Sequence, residues 1–153
     1  MVAATVRVQA EPFDAAQEEA LLTAGRRDIG ALVAFTGLCR DEKGALAALE
    51  LEHYPGMAEA EIARVAQAAL ARWPLLGVTL IHRYGLIRPG EKIVLVCVAA
   101  GHRGEAFAAA EFLMDYLKTS APFWKKEHRA DGAAGDWVAA KAEDDAAAER
   151  WRG

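Results

Sequence analysis

A chain of 153 residues, 54% hydrophobic and 26% charged, can bury a core of its own and is too apolar to stay disordered. Its net charge of −4 argues against a surface that wraps nucleic acid, so any anion binding has to come from a local cluster of cations. No apolar run approaches the roughly 20 residues that span a bilayer, and the start, MVAATVRVQAEPF, lacks the basic-then-apolar pattern of a secretory signal; the expected compartment is the cytoplasm, with no membrane partner.

Residues 4–9 alternate and read as a strand. Residues 14–24 read as a short helix with Asp14 as its N-cap, stopped by Gly25. The run IGALVAFTGLCR, the polar stretch RDEKG and the alternating ALAALELEHY predict two strands paired antiparallel through a connecting loop. Pro55-Gly56 breaks the second strand, and a helix follows over about 57–73, with Ile62, Val65, Ala66, Ala69 and Leu70 at helical spacing before Trp73-Pro74 closes it. GVTLIHRYG and KIVLVCVAA predict strands joined as a hairpin by the turn IRPGE, the second strand buried on both faces. Residues 103–119 predict a second long helix, with Phe107, Ala110, Met114 and Leu117 on one face. Pro122 ends it; FWKKEHR then reads as extended, DWVAAKA as one further strand, and the charged tail from about 142 as a short helix or frayed end. Mixed order with hairpins predicts α+β packing in a single domain spanning 1–153.

Three stretches carry candidate chemistry. GHRGEAF sits where a buried strand meets a helix, and the free N–H groups of a helix's first turn attract anions. His102 and Arg103 there suit a phosphate or carboxylate, or else Gly101 simply makes a turn and Arg103 faces solvent. YLKTSAPFWKKEHR places Lys118 at a helix end, where the macrodipole already favours a cation, and Lys125 and Lys126 beyond a proline break beside Phe123 and Trp124. Burial and a neighbouring cation both lower a lysine pKa, and a lysine so perturbed acts as nucleophile or base; a solvated lysine pair is inert. TGLCRDEKG ends a strand in Arg40, which either clamps an anion or pairs with Asp41 or Glu42. Cys39 beside it is a reactive thiol only if a cation lowers its pKa, and an unreactive strand-end thiol is the plainer reading. His53 reads as a hydrogen-bonded structural residue at a strand end. Cys39 and Cys97 form no CxxC pair, Cys97 lies inside an apolar run, and no metal site is expected.

Taken together, LELEHYPGMAEAEI, IHRYGLIRPGE, AAGHRGEAFAAAEFLMDYLKTSAPFWKKE and DWVAAK resemble the catalytic large subunit of molybdopterin synthase, the MoaE family, in that family's order and over roughly residues 5–141. The resemblance implies an α/β hammerhead fold, a mixed, mainly antiparallel sheet with two main helices. It also implies a homodimer at the centre of a heterotetramer. Each outer subunit would be a small ubiquitin-like sulfur carrier of the MoaD type, whose C-terminal Gly-Gly tail ends in a thiocarboxylate. The implied reaction converts cyclic pyranopterin monophosphate into the dithiolene of molybdopterin, with no cofactor. Carried over by position, Lys118 and Lys125 fall on the family's catalytic pair. Leu38, Cys39, Arg40, His102, Arg103, Lys126 and Glu127 fall on its substrate-contacting positions. In the family the His-Arg pair can come from across the dimer interface. Leu38-Cys39 departs from the basic or β-branched residues of many relatives, which implies backbone rather than side-chain contacts there. Two other readings compete: a non-catalytic module that binds an anion or nucleotide, and a scaffold that binds a ubiquitin-like partner without chemistry.

Overall fold

The computed structural model describes residues 2–41, 44–120, 122–138, 149 and 151. Its elements run β1 (Ala4–Gln9), α1 (Ala15–Thr23), β2 (Ala31–Leu38), β3 (Leu46–His53), α2 (Met57–Arg72), β4 (Leu75–Arg83), β5 (Gly85–Ile87), β6 (Lys92–Ala100), α3 (Arg103–Ser120) and β7 (Phe123–Arg129). The α+β class holds, and these strands divide between two sheets. One has the order β1-β4-β6-β2, the other β5-β3-β7, and every pairing except β1 with β4 is antiparallel.

Local chemistry explains the helix ends. The Asp14 side chain accepts from the Gln17 N–H at 3.2 Å and caps α1. Gly56, at φ 85°, turns the chain out of β3, and its N–H donates to the Glu59 carboxylate at 2.5 Å, starting α2. Pro74 stops α2 just after the Trp73 N–H has bonded the Ala69 carbonyl at 3.1 Å.

The core lies between the larger sheet and two helices. Val78 and Leu80 of β4 with Val94, Val96 and Val98 of β6 meet Ile62, Val65, Ala66 and Ala69 of α2 and Phe112, Leu113 and Leu117 of α3. On the opposite face, Ile81, Leu95 and Cys97 pack against Phe13 and Leu22. Both faces of β6 are therefore covered, which is why its sequence reads as an unbroken apolar run.

The predicted β2–β3 hairpin does not form. β2 pairs with β6, from Ala31 opposite Ala100 to Leu38 opposite Lys92, while β3 lies in the other sheet between β5 and β7. A buried central strand needs hydrogen-bond partners on both edges; β4 supplies one edge of β6 and β2 the other. The predicted β4–β6 hairpin does form, with Gly90 at φ 89° in its turn, but its arm contains the short β5, which crosses to β3. The DWVAAKA strand is seen only as a bridge at Val138; Asp136 and Trp137 stand outside any strand, and residues 139–142 lie outside the described residues. The tail is not frayed at Trp151: its indole N–H donates to Asp115 at 2.5 Å, its carbonyl accepts from Arg72 at 2.8 Å, and its ring packs edge-on against Trp73 and Phe112.

Candidate functional site

α3 starts where β6 ends and folds back along the sheet. Its last turn, with buried Leu117 and exposed Lys118, therefore arrives over the beginning of β6, where Val94 lies opposite His82 of β4. The chain then enters β7 at Phe123, whose ring lies flat on His82, centroids 3.8 Å apart and planes 13° from parallel. His53, at the end of β3, sits 5.8 Å from Phe123 and 4.4 Å from Tyr84, with its Nε2 3.7 Å from the Glu59 carboxylate. Burial pushes the His82 pKa down to about 4; its hydrogen bond to the Arg83 carbonyl opposes this, and the charges of Lys118 and His53 add to it.

Strand alternation sorts β7. Phe123, Lys125 and Glu127 lie opposite His53, Leu51 and Leu49 and share their face of the sheet, while Trp124, Lys126 and His128 take the other. Lys125 is held by its main chain, donating to and accepting from Val138 at 3.0 and 2.8 Å. On the opposite face, the Lys126 ammonium stands 4.7 Å over the Trp137 ring, His128 bonds Glu50 at 2.8 Å, and Trp124 meets Tyr54 edge-on. Lys125 thus shares a face with the Phe123–His82 stack, and Lys126 does not.

Leu51 and Ile87 on that shared face pack against Cys39, which joins the two sheets at the end of β2. Cys39 is 3% exposed, and burial, followed by Glu91, Asp41 and Glu127, raises the pKa of its thiol. A buried thiol surrounded by carboxylates is the opposite of an activated one, so Cys39 is a structural residue of the junction. Its N–H donates to Glu91 and its C=O accepts from Gly90, at 2.8 and 2.7 Å, so both backbone groups are engaged within the protein. Leu38 and Arg40 on either side of it are exposed.

Leu38, Cys39, Arg40, Lys118, Lys125 and Glu127 therefore gather around one end of the larger sheet. His102 and Arg103 do not join them. Both are exposed at the start of α3, and at 1.5 Å per residue the fifteen steps to Lys118 separate the two groups by about 23 Å. That far end is tightly built: the Gly30 N–H bonds the Ala100 carbonyl at 3.0 Å, and a Cβ on Gly30 would lie 2.2 Å from the Gly101 oxygen. Sequence reading missed His82, Tyr84 and the stacking role of Phe123. The available signal was a histidine in phase with Val78 and Leu80, at a position where alternation demands an inward-facing side chain.

The depressed His82 pKa carries a stability consequence. The unfolded chain binds this proton near 6.5 and the folded protein only near 4, so between those values acid favours unfolding. The contribution is complete above about 6.5 and is lost as the pH falls towards 4, on the order of 2–3 kcal/mol. Urea unfolding of wild type and His82→Phe at pH 7 and pH 4.5 should show the smaller loss in the variant; equal losses would mean His82 does not titrate this way.

The family model described as "MoaE protein" matches residues 8–120. The chain is 66% identical over 152 residues to the molybdopterin synthase catalytic subunit of Mesorhizobium japonicum, covering 99% of this chain and 96% of that relative. Among solved structures, a molybdopterin biosynthesis MoaE protein from Burkholderia ambifaria superposes with a TM-score of 0.84 at 50% identity, covering 97% of each chain. Molybdopterin synthase from Staphylococcus aureus superposes with a TM-score of 0.77 at 30% identity, covering 86% of this chain and 94% of that one. Sequence and fold agree along nearly the whole length, and the chain belongs to the MoaE family.

Proposed function

We propose that this chain is the catalytic subunit of a molybdopterin synthase, working in the cytoplasm as a single domain. It takes sulfur from the C-terminal thiocarboxylate of a small ubiquitin-like carrier and transfers it to cyclic pyranopterin monophosphate, forming the dithiolene of molybdopterin. The observation that carries this reading is the gathering of Lys118 and Lys125, from the consecutive elements α3 and β7, with Arg40, from just past the end of the sequence-distant β2, at one end of the sheet, in a chain so similar to catalytic subunits.

Each transfer breaks a carbon–sulfur bond at the carrier's acyl group and replaces a carbon–oxygen bond of the pterin side chain with a carbon–sulfur bond; the displaced oxygen leaves as water or stays on the phosphate, and water restores the carrier's carboxylate. Lys118 and Lys125 handle protons and developing negative charge at the acyl–sulfur centre. Arg40 holds the substrate phosphate. Because His102 and Arg103 lie about 23 Å from Lys118 along α3, they serve the site of a second copy, whose pocket is then composite. The apolar surface suits such a pairing: Leu32, Phe35 and Leu38 on the outer strand β2 and Phe107 on α3 are all exposed.

Purified protein mixed with the pterin and a thiocarboxylated carrier should yield dithiolene product. Binding of pterin without turnover would indicate an anion-binding regulatory module instead, and binding of carrier alone a scaffold.

A further inference from the structure

No part in the proposed chemistry falls to His82, whose charge environment includes Lys118 in the last turn of α3. His82 lies on the inner face of β4, in step with Val78 and Leu80, at the end of the sheet where α3 finishes. Its ring is pinned. Nδ1 lies 2.8 Å from the Arg83 carbonyl oxygen, which can only accept, so Nδ1 carries the proton and donates. One face rests on Phe123 at 3.8 Å, and Phe123 is in turn flanked by His53 at 5.8 Å. With Nδ1 protonated, Nε2 holds the ring's lone pair, and it has no hydrogen-bond partner among the described residues. An acceptor held this firmly at the edge of the candidate site is suited to fixing a donor.

We propose that His82 is a positioning residue for Lys118: its Nε2, which has no partner among the described residues, is the acceptor to which the exposed Lys118 side chain turns, and that hydrogen bond fixes the direction in which the amine meets the reacting centre. Lys118 arrives on the same face of the sheet and precedes Phe123 by only five residues. Its charge acts on the imidazole ahead of that of His53. The neutral ring suits the role, because a protonated imidazole would repel the ammonium and offer no lone pair; burial keeps it neutral at pH 7. Phe123 also begins the strand that carries Lys125, so one stack ties both lysines to the same wall.

This role presupposes the catalytic assignment of Lys118, and the experiments separate the two. His82→Phe keeps a ring to stack on Phe123 but removes the lone pair, whereas His82→Gln returns an acceptor near the position of Nε2. In single-turnover sulfur transfer with thiocarboxylated carrier, His82→Phe should slow the reaction about tenfold or more, since the lost partner is charged, while pterin affinity stays within about twofold. His82→Gln should recover a substantial part of the rate. A His82→Phe rate within twofold of wild type, or equal losses in both variants, would overturn the proposal. A spectroscopic test needs neither turnover nor a His82 variant. In nitrogen-15 NMR of the wild-type protein and of Lys118→Ala, the His82 Nε2 resonance should move while Nδ1 stays; an unmoved Nε2 resonance overturns the proposal whatever Lys118 does in catalysis.

Discussion

Lys118→Ala is expected to abolish dithiolene formation in single turnover while leaving the protein folded and able to bind both pterin and carrier. Lys118 is exposed, and the residue before it, Leu117, is in the core, so shortening Lys118 removes little packing; the loss falls on chemistry. Lys118→Arg should rescue little, because arginine keeps the charge but cannot readily give up a proton. Lys125→Ala should be similarly severe, and Lys126→Ala milder, since Lys126 lies on the opposite face of β7 against Trp137. Near-normal turnover in Lys118→Ala would remove the catalytic assignment. Full rescue by arginine would reduce Lys118 to a source of positive charge.

Mixed dimers should recover activity that neither parent has. Arg103→Ala is expected to weaken pterin binding by about 1.5–3 kcal/mol, the cost of a lost contact to a charged group, and so to be nearly inactive at limiting pterin. Lys118→Ala is inactive at any concentration. If Arg103 serves the neighbouring copy's site, a dimer with one chain of each kind holds one intact site, made from Lys118 of the first and Arg103 of the second. Random mixing would then restore about a quarter of wild-type activity. If both residues served the same chain's site, no mixture would be active. The 18-residue α3 between the two positions favours the first outcome. A stable monomer in light scattering at micromolar concentration, with or without carrier, would also exclude it.

Most of the local structure follows from short-range signals in the chain. The Asp14 cap, the Pro55-Gly56 break, the 3.6-residue periodicity of α2 and α3 and the Pro122 stop each act over a few residues, and each helix formed within a residue or two of its expected ends. The long blocks around His102-Arg103 and Lys118–Lys125 also carried the family, because side-chain identity at fixed spacing is a property of the chain. Three matters were left to the tertiary structure. β2 joined β6 rather than its neighbour β3, because the backbone groups on β6's free edge had to be satisfied and no local signal states which strand will do it. Cys39 became an inert residue at the junction of the sheets, because its burial and two of its three nearby carboxylates, Glu91 and Glu127, come from segments far along the chain. Most consequentially, two cationic motifs only fifteen residues apart ended at opposite ends of one helix, while His82 and Phe123, forty-one apart, came to stack. A rigid α3 keeps its ends about 25 Å apart, whereas a sheet with covered faces brings distant strands within contact, so separation along the sequence says little about which residues share a site.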